Sequence, residues 1–276
     1  MAIRLYWWDG KRNDNRKNYG DLLSKYLVEK ISGKKVVSII YPSSRRYKYF
    51  FKKHYLVIGS IIRTATENSI VWGSGIISKK DKIKEAEFLA VRGPQTRKRI
   101  LELGFKCPEV YGDPGILLPN YYHPEIEKKF KIGIIPHFYD YQEIQNIFKN
   151  DKRVNVINLL TNSIEDVTSE ILKCEQIISS SLHGLIISHS YYIPALWIKF
   201  SNKLDGDNVK FYDYFESMGI DFKNEIHKTP TELNFENINI ALKENSDVLL
   251  VGKKMLEYRK AELLKACPFA KNNSEV

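Results

Sequence analysis

With 276 residues, 43% of them hydrophobic and 12% aromatic, the chain can bury one large core or two medium ones, which excludes wholesale disorder. A formal net charge of +10 favours anionic partners: phosphorylated metabolites, nucleic acid or an anionic membrane surface. Cys107, Cys174 and Cys267 lie far apart with no CxxC or Cys/His ligand spacing, so neither structural zinc nor a disulfide scaffold is expected, and a reducing compartment fits best. Residues 1–20 read as neither a signal peptide nor a membrane span. A cytoplasmic protein is expected, with peripheral contact to an anionic membrane left open.

Residues 3–8 read as the first strand, followed by a polar loop carrying Lys11, Arg12, Arg16 and Lys17 that reads as solvated. Asn18-Tyr19-Gly20-Asp21 opens a helix with Leu22, Leu23, Tyr26, Leu27 and Ile31 on its apolar face and Gly33 as its stop. A strand is expected over residues 36–40. Residues 47–55, basic and aromatic, read as an amphipathic surface helix rather than a base-stacking surface. Two strands, 55–58 and 70–72, end in the glycine turns Gly59-Ser60 and Gly73-Ser74-Gly75; neither matches a P-loop or a full dinucleotide fingerprint. The strand at 88–91 runs through Arg92-Gly93 into a helix at Pro94, with Ile100, Leu101 and Leu103 buried, Arg97, Lys98 and Arg99 outward, and Gly104 as its stop. Gly112-Asp113-Pro114-Gly115 is a turn after a short strand.

Residues 120–131 read as a linker, and a second set of units begins at the strand 132–135, which ends in Pro136-His137. A strand is expected over 154–160, then a helix from Ser163, with Asp166 completing a capping box. A strand at 195–200 precedes a polar loop over 202–208 that contains Asp205-Gly206-Asp207. A short helix at Tyr212-Asp213-Tyr214-Phe215 and a long one within 247–265 close the chain. Alternating strands and helices imply an α/β fold of parallel sheets in two Rossmann-like domains, residues 1–124 and 125–245. The helix and tail of 246–276 pack back across them.

The chain is organised around residues 177–194. There a β-branched strand ends in Ser179-Ser180-Ser181 and turns into a helix at Leu182-His183-Gly184. Free N–H groups at a helix start, with hydroxyls beside them, form an anion site. Ligands of such sheets gather at the carboxyl ends of strands, where Gly59, Gly73, Arg92, Asp113, His137 and His183 all fall. Each residue also has a plain structural use. His183 can be satisfied by the serines, Arg92 by a surface ion pair, Asn18 and Asp21 by capping, and Asp113 by its turn; His137 serves packing equally well.

The ordered set Asn18-Tyr19-Gly20-Asp21, Val71-Trp72-Gly73-Ser74-Gly75, Val91-Arg92-Gly93-Pro94, Gly112-Asp113-Pro114-Gly115, Ile135-Pro136-His137 and Ser181-Leu182-His183-Gly184-Leu185-Ile186 resembles the polysaccharide pyruvyl transferases of the succinoglycan type. The resemblance covers roughly residues 15–200. It implies two Rossmann-like domains facing a cleft, as in GT-B glycosyltransferases. It further implies transfer of pyruvate from phosphoenolpyruvate onto two hydroxyls of one sugar, giving a cyclic ketal and phosphate. His183 corresponds to the family's histidine and Arg92 to the arginine after its strand; these are the catalytic candidates. The binding candidates are Asn18, Asp21, Gly73, Ser74, Arg97, Asp113, His137, Ser180, Ser181 and Leu182. Many members carry arginine before Leu-His-Gly, where this chain has Ser181.

Phosphoenolpyruvate is then the donor substrate, a sugar of a cell-surface polysaccharide or its precursor, lipid-linked or not, the acceptor, and no cofactor, metal or nucleic acid is expected. Two rival readings are a sugar-nucleotide glycosyltransferase of the same architecture and a non-enzymatic module that binds anionic polymer or lipid.

Overall fold

The computed structural model describes residues 2–8, 10, 15–41, 52–203 and 205–269. In the first half, β1 (Ile3–Tyr6) and β2 (Lys17–Asn18) lead to α1 (Tyr19–Ser32), followed by β3 (Val36–Ser38), β4 (His54–Leu56), β5 (Ser69–Trp72), β6 (Glu87–Ala90) and α2 (Pro94–Glu102). The strands form one sheet in the order β3-β1-β4-β5-β6, every pair parallel. All four residues of β5 are buried, as a parallel strand covered on both faces requires.

Helix α1 keeps both expected ends. The Asn18 side chain accepts from the Gly20 N–H at 3.0 Å, and Gly33, at φ 65°, donates its N–H to the Glu29 carbonyl. On α2, Ile100 is buried but Leu101 is 43% exposed, against expectation. Consecutive helical residues point about 100° apart, and Thr96 with Ile100, four apart, already makes the inward stripe. The helix expected over 47–55 falls mostly outside the described residues, and its end is β4.

A 3-10 turn, Pro114–Asn120, closes the first half with Ile116, Leu117 and Leu118 buried. The second half holds β7 (Phe130–Ile135), α3 (Tyr141–Phe148), β8 (Val154–Val156), β9 (Leu160–Thr161), α4 (Ile164–Leu172), β10 (Cys174–Ser179), α5 (Leu182–Ser190) and β11 (Ala195–Trp197). Strands β11-β10-β7-β8 form a second all-parallel sheet. The single strand expected over 154–160 is two. The Asn158 side chain accepts from the Leu160 N–H at 2.8 Å, turning the chain so that β9 pairs antiparallel with β2. At α4, Ser163 accepts from Asp166 N–H, but its own N–H goes to Thr161 Oγ1, so only half of the expected capping box forms.

Then come α6 (Val209–Ser217), α7 (Phe235–Glu244) and α8 (Lys253–Lys265). Besides the β2–β9 pairing, several hydrogen bonds tie the halves together. The Tyr19 N–H donates to the Leu159 carbonyl at 2.8 Å, and its hydroxyl meets Thr168 Oγ1 at 2.8 Å, so α1 rests on α4. Asp213 of α6 accepts from Thr96 of α2. Trp72 Nε1–H donates to the Leu263 carbonyl, so α8 packs back on β5. One core cluster accordingly contains Leu5, Leu27 and Ile116 as well as Ile134, Ile178 and Ile186. A smaller one, with Leu56, Val71, Val91 and Ile100, involves the first half's strands and α2.

Candidate active site

The segments that follow the strands open on a cleft of about 390 Å³. From the first sheet come Trp8 after β1, Tyr41 after β3, and Gly59, Ser60, Ile61, Arg63 and Thr64 after β4. Lys17, Asn18 and Asp21 enter where β2 meets α1. From the second sheet come His137, Phe138 and Tyr139 after β7 and Ser181, Leu182 and His183 after β10. Asp205 and Lys210 add the approach to α6.

His183 sits in the first turn of α5, and its imidazole lies directly on Gly20. A Cβ added at Gly20 would stand 2.0 Å from His183 Nδ1, so the Asn-Tyr-Gly-Asp motif needs glycine there to seat the ring. Nε2 is enclosed and faces Asp113 Oδ2 at 3.7 Å. The other Asp113 oxygen accepts from the Gly115 N–H at 2.9 Å, which fixes the carboxylate. Neither Nε2 nor Oδ2 has a hydrogen-bond partner among the described residues. The His183 side chain is 13% exposed, open to the cleft while braced from behind.

The serine turn is built from its own hydroxyls. Ser179 Oγ donates to the Ile135 carbonyl and accepts from the Ser181 N–H. Ser180 Oγ accepts from the His137 N–H at 2.8 Å, locking the two second-sheet loops together. Ser181 is the N-cap of α5, yet its side chain makes no capping bond; it lines the cleft. The His137 ring tilts against Phe138 at 4.1 Å and Tyr139 at 5.0 Å, giving an aromatic rim, and Trp8, 53% exposed, adds a second apolar ring plane. Burial, with Tyr41 and Asp21 close by, pushes the Tyr6 phenol up, so it stays neutral behind that wall.

Of the expected residues, His183, Asn18, Asp21, His137, Ser181 and Leu182 line the cleft, and Asp113 and Ser180 stand immediately behind it. Arg92 does not line it. Its guanidinium is fully enclosed: Nε binds Asp213 at 3.0 Å, Nη1 donates to Ser60 Oγ at 2.7 Å and Nη2 to the Ile76 carbonyl at 2.6 Å. A Cβ at Gly75 would stand 2.5 Å from its Cζ, so the glycine turn after β5 makes room for it. Arg92 therefore reaches the cleft through Ser60 only. Ser74 is buried and donates to the Gly59 carbonyl, Gly73 abuts Pro114, and Arg97 donates to the Cys107 carbonyl; none of the three lines the cleft.

Residues the sequence reading passed over include Ser60, Arg63, Tyr41 and Lys210, and Lys17 was read as solvated. Their signal was position: each follows a strand or opens a helix. Among the described residues, no group of three or more His, Cys, Asp or Glu could hold a metal ion, and no helix is long and apolar enough to cross a membrane.

Parallel α/β sheets whose carboxyl-end loops converge on a histidine–carboxylate pair in a cation-lined cleft define an enzyme that handles a small anion. The comparisons make this specific. A sequence model of the polysaccharide pyruvyl transferase family matches residues 18–202, and the chain belongs to that family. It is 30% identical over 254 residues to the uncharacterized protein L143 of Acanthamoeba polyphaga mimivirus, covering 90% of this chain and 86% of that one. To the succinoglycan biosynthesis protein ExoV of Rhizobium meliloti (strain 1021) it is 22% identical over 238 residues, 80% of this chain and 66% of that one. The chain is a pyruvyltransferase, and its acceptor class is polysaccharide. Membership answers the glycosyltransferase and non-enzymatic readings.

Proposed function

We propose that the donor is phosphoenolpyruvate and that the enzyme joins its C2 to two hydroxyls of one sugar unit as a cyclic ketal. The observation that carries this reading is the seating of His183 on Gly20, with Nε2 turned to Asp113 and the ring open to the cleft. Asp113 is the positioning residue: held by the Gly115 N–H, its carboxylate faces Nε2 at 3.7 Å, an unclosed approach of the kind that tightens when a substrate completes the site.

Protonated His183 gives its proton to the vinyl CH2, which becomes the methyl group, and C2 becomes cationic. A sugar oxygen bonds to C2, and its proton returns to the imidazole. The second oxygen then bonds to C2 as the C–O bond to phosphate breaks, and the last proton leaves with phosphate. Two hydroxyl protons are consumed, one in the methyl and one in the phosphate, so the sum balances without an oxidant or a cofactor.

The cleft's remaining parts suit these partners. Lys17, Arg63 and Lys210 supply positive charge for a donor carrying a carboxylate and a phosphate, and Trp8 and Tyr139 offer ring faces to a pyranose. Asp21, beside Gly20 at the start of α1, is the carboxylate suited to accept from an acceptor hydroxyl. The two sheets, each presenting its strand ends to the cleft, support the reading as a GT-B-like pair of Rossmann-like units divided near residue 125. We read the enzyme as cytoplasmic, acting on a polysaccharide or on its lipid-linked precursor.

Incubation with phosphoenolpyruvate and a panel of terminal galactosides and other hexosides tests the proposal. Phosphate is expected to appear in step with a product heavier by one ketal-bound pyruvyl group. Phosphate release without that product, or product from another donor only, overturns it.

A further inference from the structure

Lys210 and Arg63 are the cleft cations with no hydrogen bond or ion pair among the described residues, and Lys210 is the one set beside the buried Arg92. Arg92 is neutralised by Asp213, Lys199 by Glu225 and Lys203 by Asp140. Lys210 lines the cleft and makes no hydrogen bond or ion pair with the described residues; its ammonium lies 5.3 Å from the centre of the Phe211 ring. Ser60 lines the same cleft and accepts a hydrogen bond from Arg92 Nη1 at 2.7 Å. That bond occupies a Ser60 lone pair and leaves the hydroxyl proton to donate, polarised by the guanidinium behind it.

We propose that Lys210 and Ser60 form the corner that holds one anionic group of the enol-phosphate donor, with buried Arg92 acting through Ser60. The inference rests on the donor reading above and deepens it. Arg92 keeps a role in binding without touching the ligand, because a charge so well enclosed can still bias a hydroxyl that faces the cleft. The lysine, a point charge on a flexible stem, settles on phosphate or carboxylate oxygens alike.

A consequence follows for pH. Burial, and next the positive charge of Arg92, lower the Lys210 ammonium to about 8, against a smaller opposing effect of Asp205. The other charged and titratable groups that line the cleft are Lys17, Asp21, Tyr41, Arg63, His137 and His183. As pH rises through 8 the corner loses its proton and its hold on an anion, while the anion's own charge hardly changes.

The test is calorimetric binding of inorganic phosphate and, separately, of pyruvate between pH 7 and 9.5. It uses the wild type, Lys210→Arg, Lys210→Met and Ser60→Ala, with turnover of phosphoenolpyruvate by the wild type measured in parallel. In the wild type, affinity for one of the two anions is expected to fall about tenfold per pH unit above 8. Lys210→Arg abolishes that decline because its guanidinium stays charged. Lys210→Met lowers affinity roughly 10- to 100-fold at pH 7 and removes the decline as well, and Ser60→Ala weakens binding but keeps it. Whether phosphate or pyruvate shows the effect identifies the group held. If neither anion's affinity responds to pH or to Lys210→Arg while the wild type turns over phosphoenolpyruvate, the corner is overturned and the donor reading stands. A wild type with no turnover instead fails the donor reading.

Discussion

A single missing methyl group seats the histidine proposed as the proton donor. The space that a Cβ at Gly20 would take is filled by the His183 ring, and the ring's far nitrogen points to Asp113. Gly20→Ala is expected to keep the fold, since alanine suits a helical position, but to push the imidazole from its place. A displacement of about 1 Å costs on the order of 100-fold in rate. Steady-state kinetics beside a thermal melt check this; an unchanged kcat would mean that the ring's position does not matter. His183→Gln removes the proposed proton donor and is expected to cost roughly 100- to 10,000-fold in kcat, with donor affinity much less affected. Retention of most activity would take His183 out of the chemistry.

At the level of elements, α6 is clamped both to α2 and, through a buried ion pair, to the turn that precedes α2. Asp213 accepts from Arg92 Nε, from the Thr96 N–H at 2.9 Å and from Thr96 Oγ1 at 2.6 Å, with both charged partners fully enclosed. Breaking such a pair from one side strands the other charge, at about 3–5 kcal/mol. Arg92→Met and Asp213→Asn are each expected to lower the urea-unfolding free energy by that much. The double variant should lose clearly less than the sum, because neither charge is then left alone. Additive losses would show that the two act independently. This clamp also marks where the sequence stops being readable. The strands were legible from β-branched runs that end in glycine turns, and the histidine from its place between a strand and a helix. Arg92 reads as a catalytic candidate or a surface ion pair because its counter-ion lies 121 residues further on, and no local pattern announces such a meeting. Helices α3 and α7 were missed for a different reason: α3 buries only Ile144 and Phe148, and α7 only Ile238, Ala241 and Leu242, too few positions to make periodicity stand out.

Across the whole molecule, one histidine outside the chemistry joins three elements. His189 of α5 is enclosed, its Nδ1 at 2.9 Å from the Tyr214 hydroxyl on α6 and its Nε2 at 3.3 Å from the Ala195 carbonyl at the head of β11. Because α6 is also clamped to α2, this contact helps hold the second sheet's helices to the first half. Burial lowers the His189 imidazole to about 4, against a weaker pull from backbone carbonyls. In the unfolded chain the same ring titrates near the ordinary value of about 6.5. Between these values the unfolded chain holds a proton that the folded one does not, so folding stability falls as pH drops from 6.5 towards 4. From pH 7 to pH 5 this one group is expected to remove about 2 kcal/mol. Urea titrations at the two pH values, on the wild type and on His189→Gln, measure it. The variant is less stable at pH 7, having lost its bond to Tyr214 or Ala195, but its loss between pH 7 and pH 5 should be smaller by about 2 kcal/mol. If both proteins lose the same amount, the acid sensitivity of the fold comes from another group, and the buried ring at the junction of α5, α6 and β11 is already able to carry its charge.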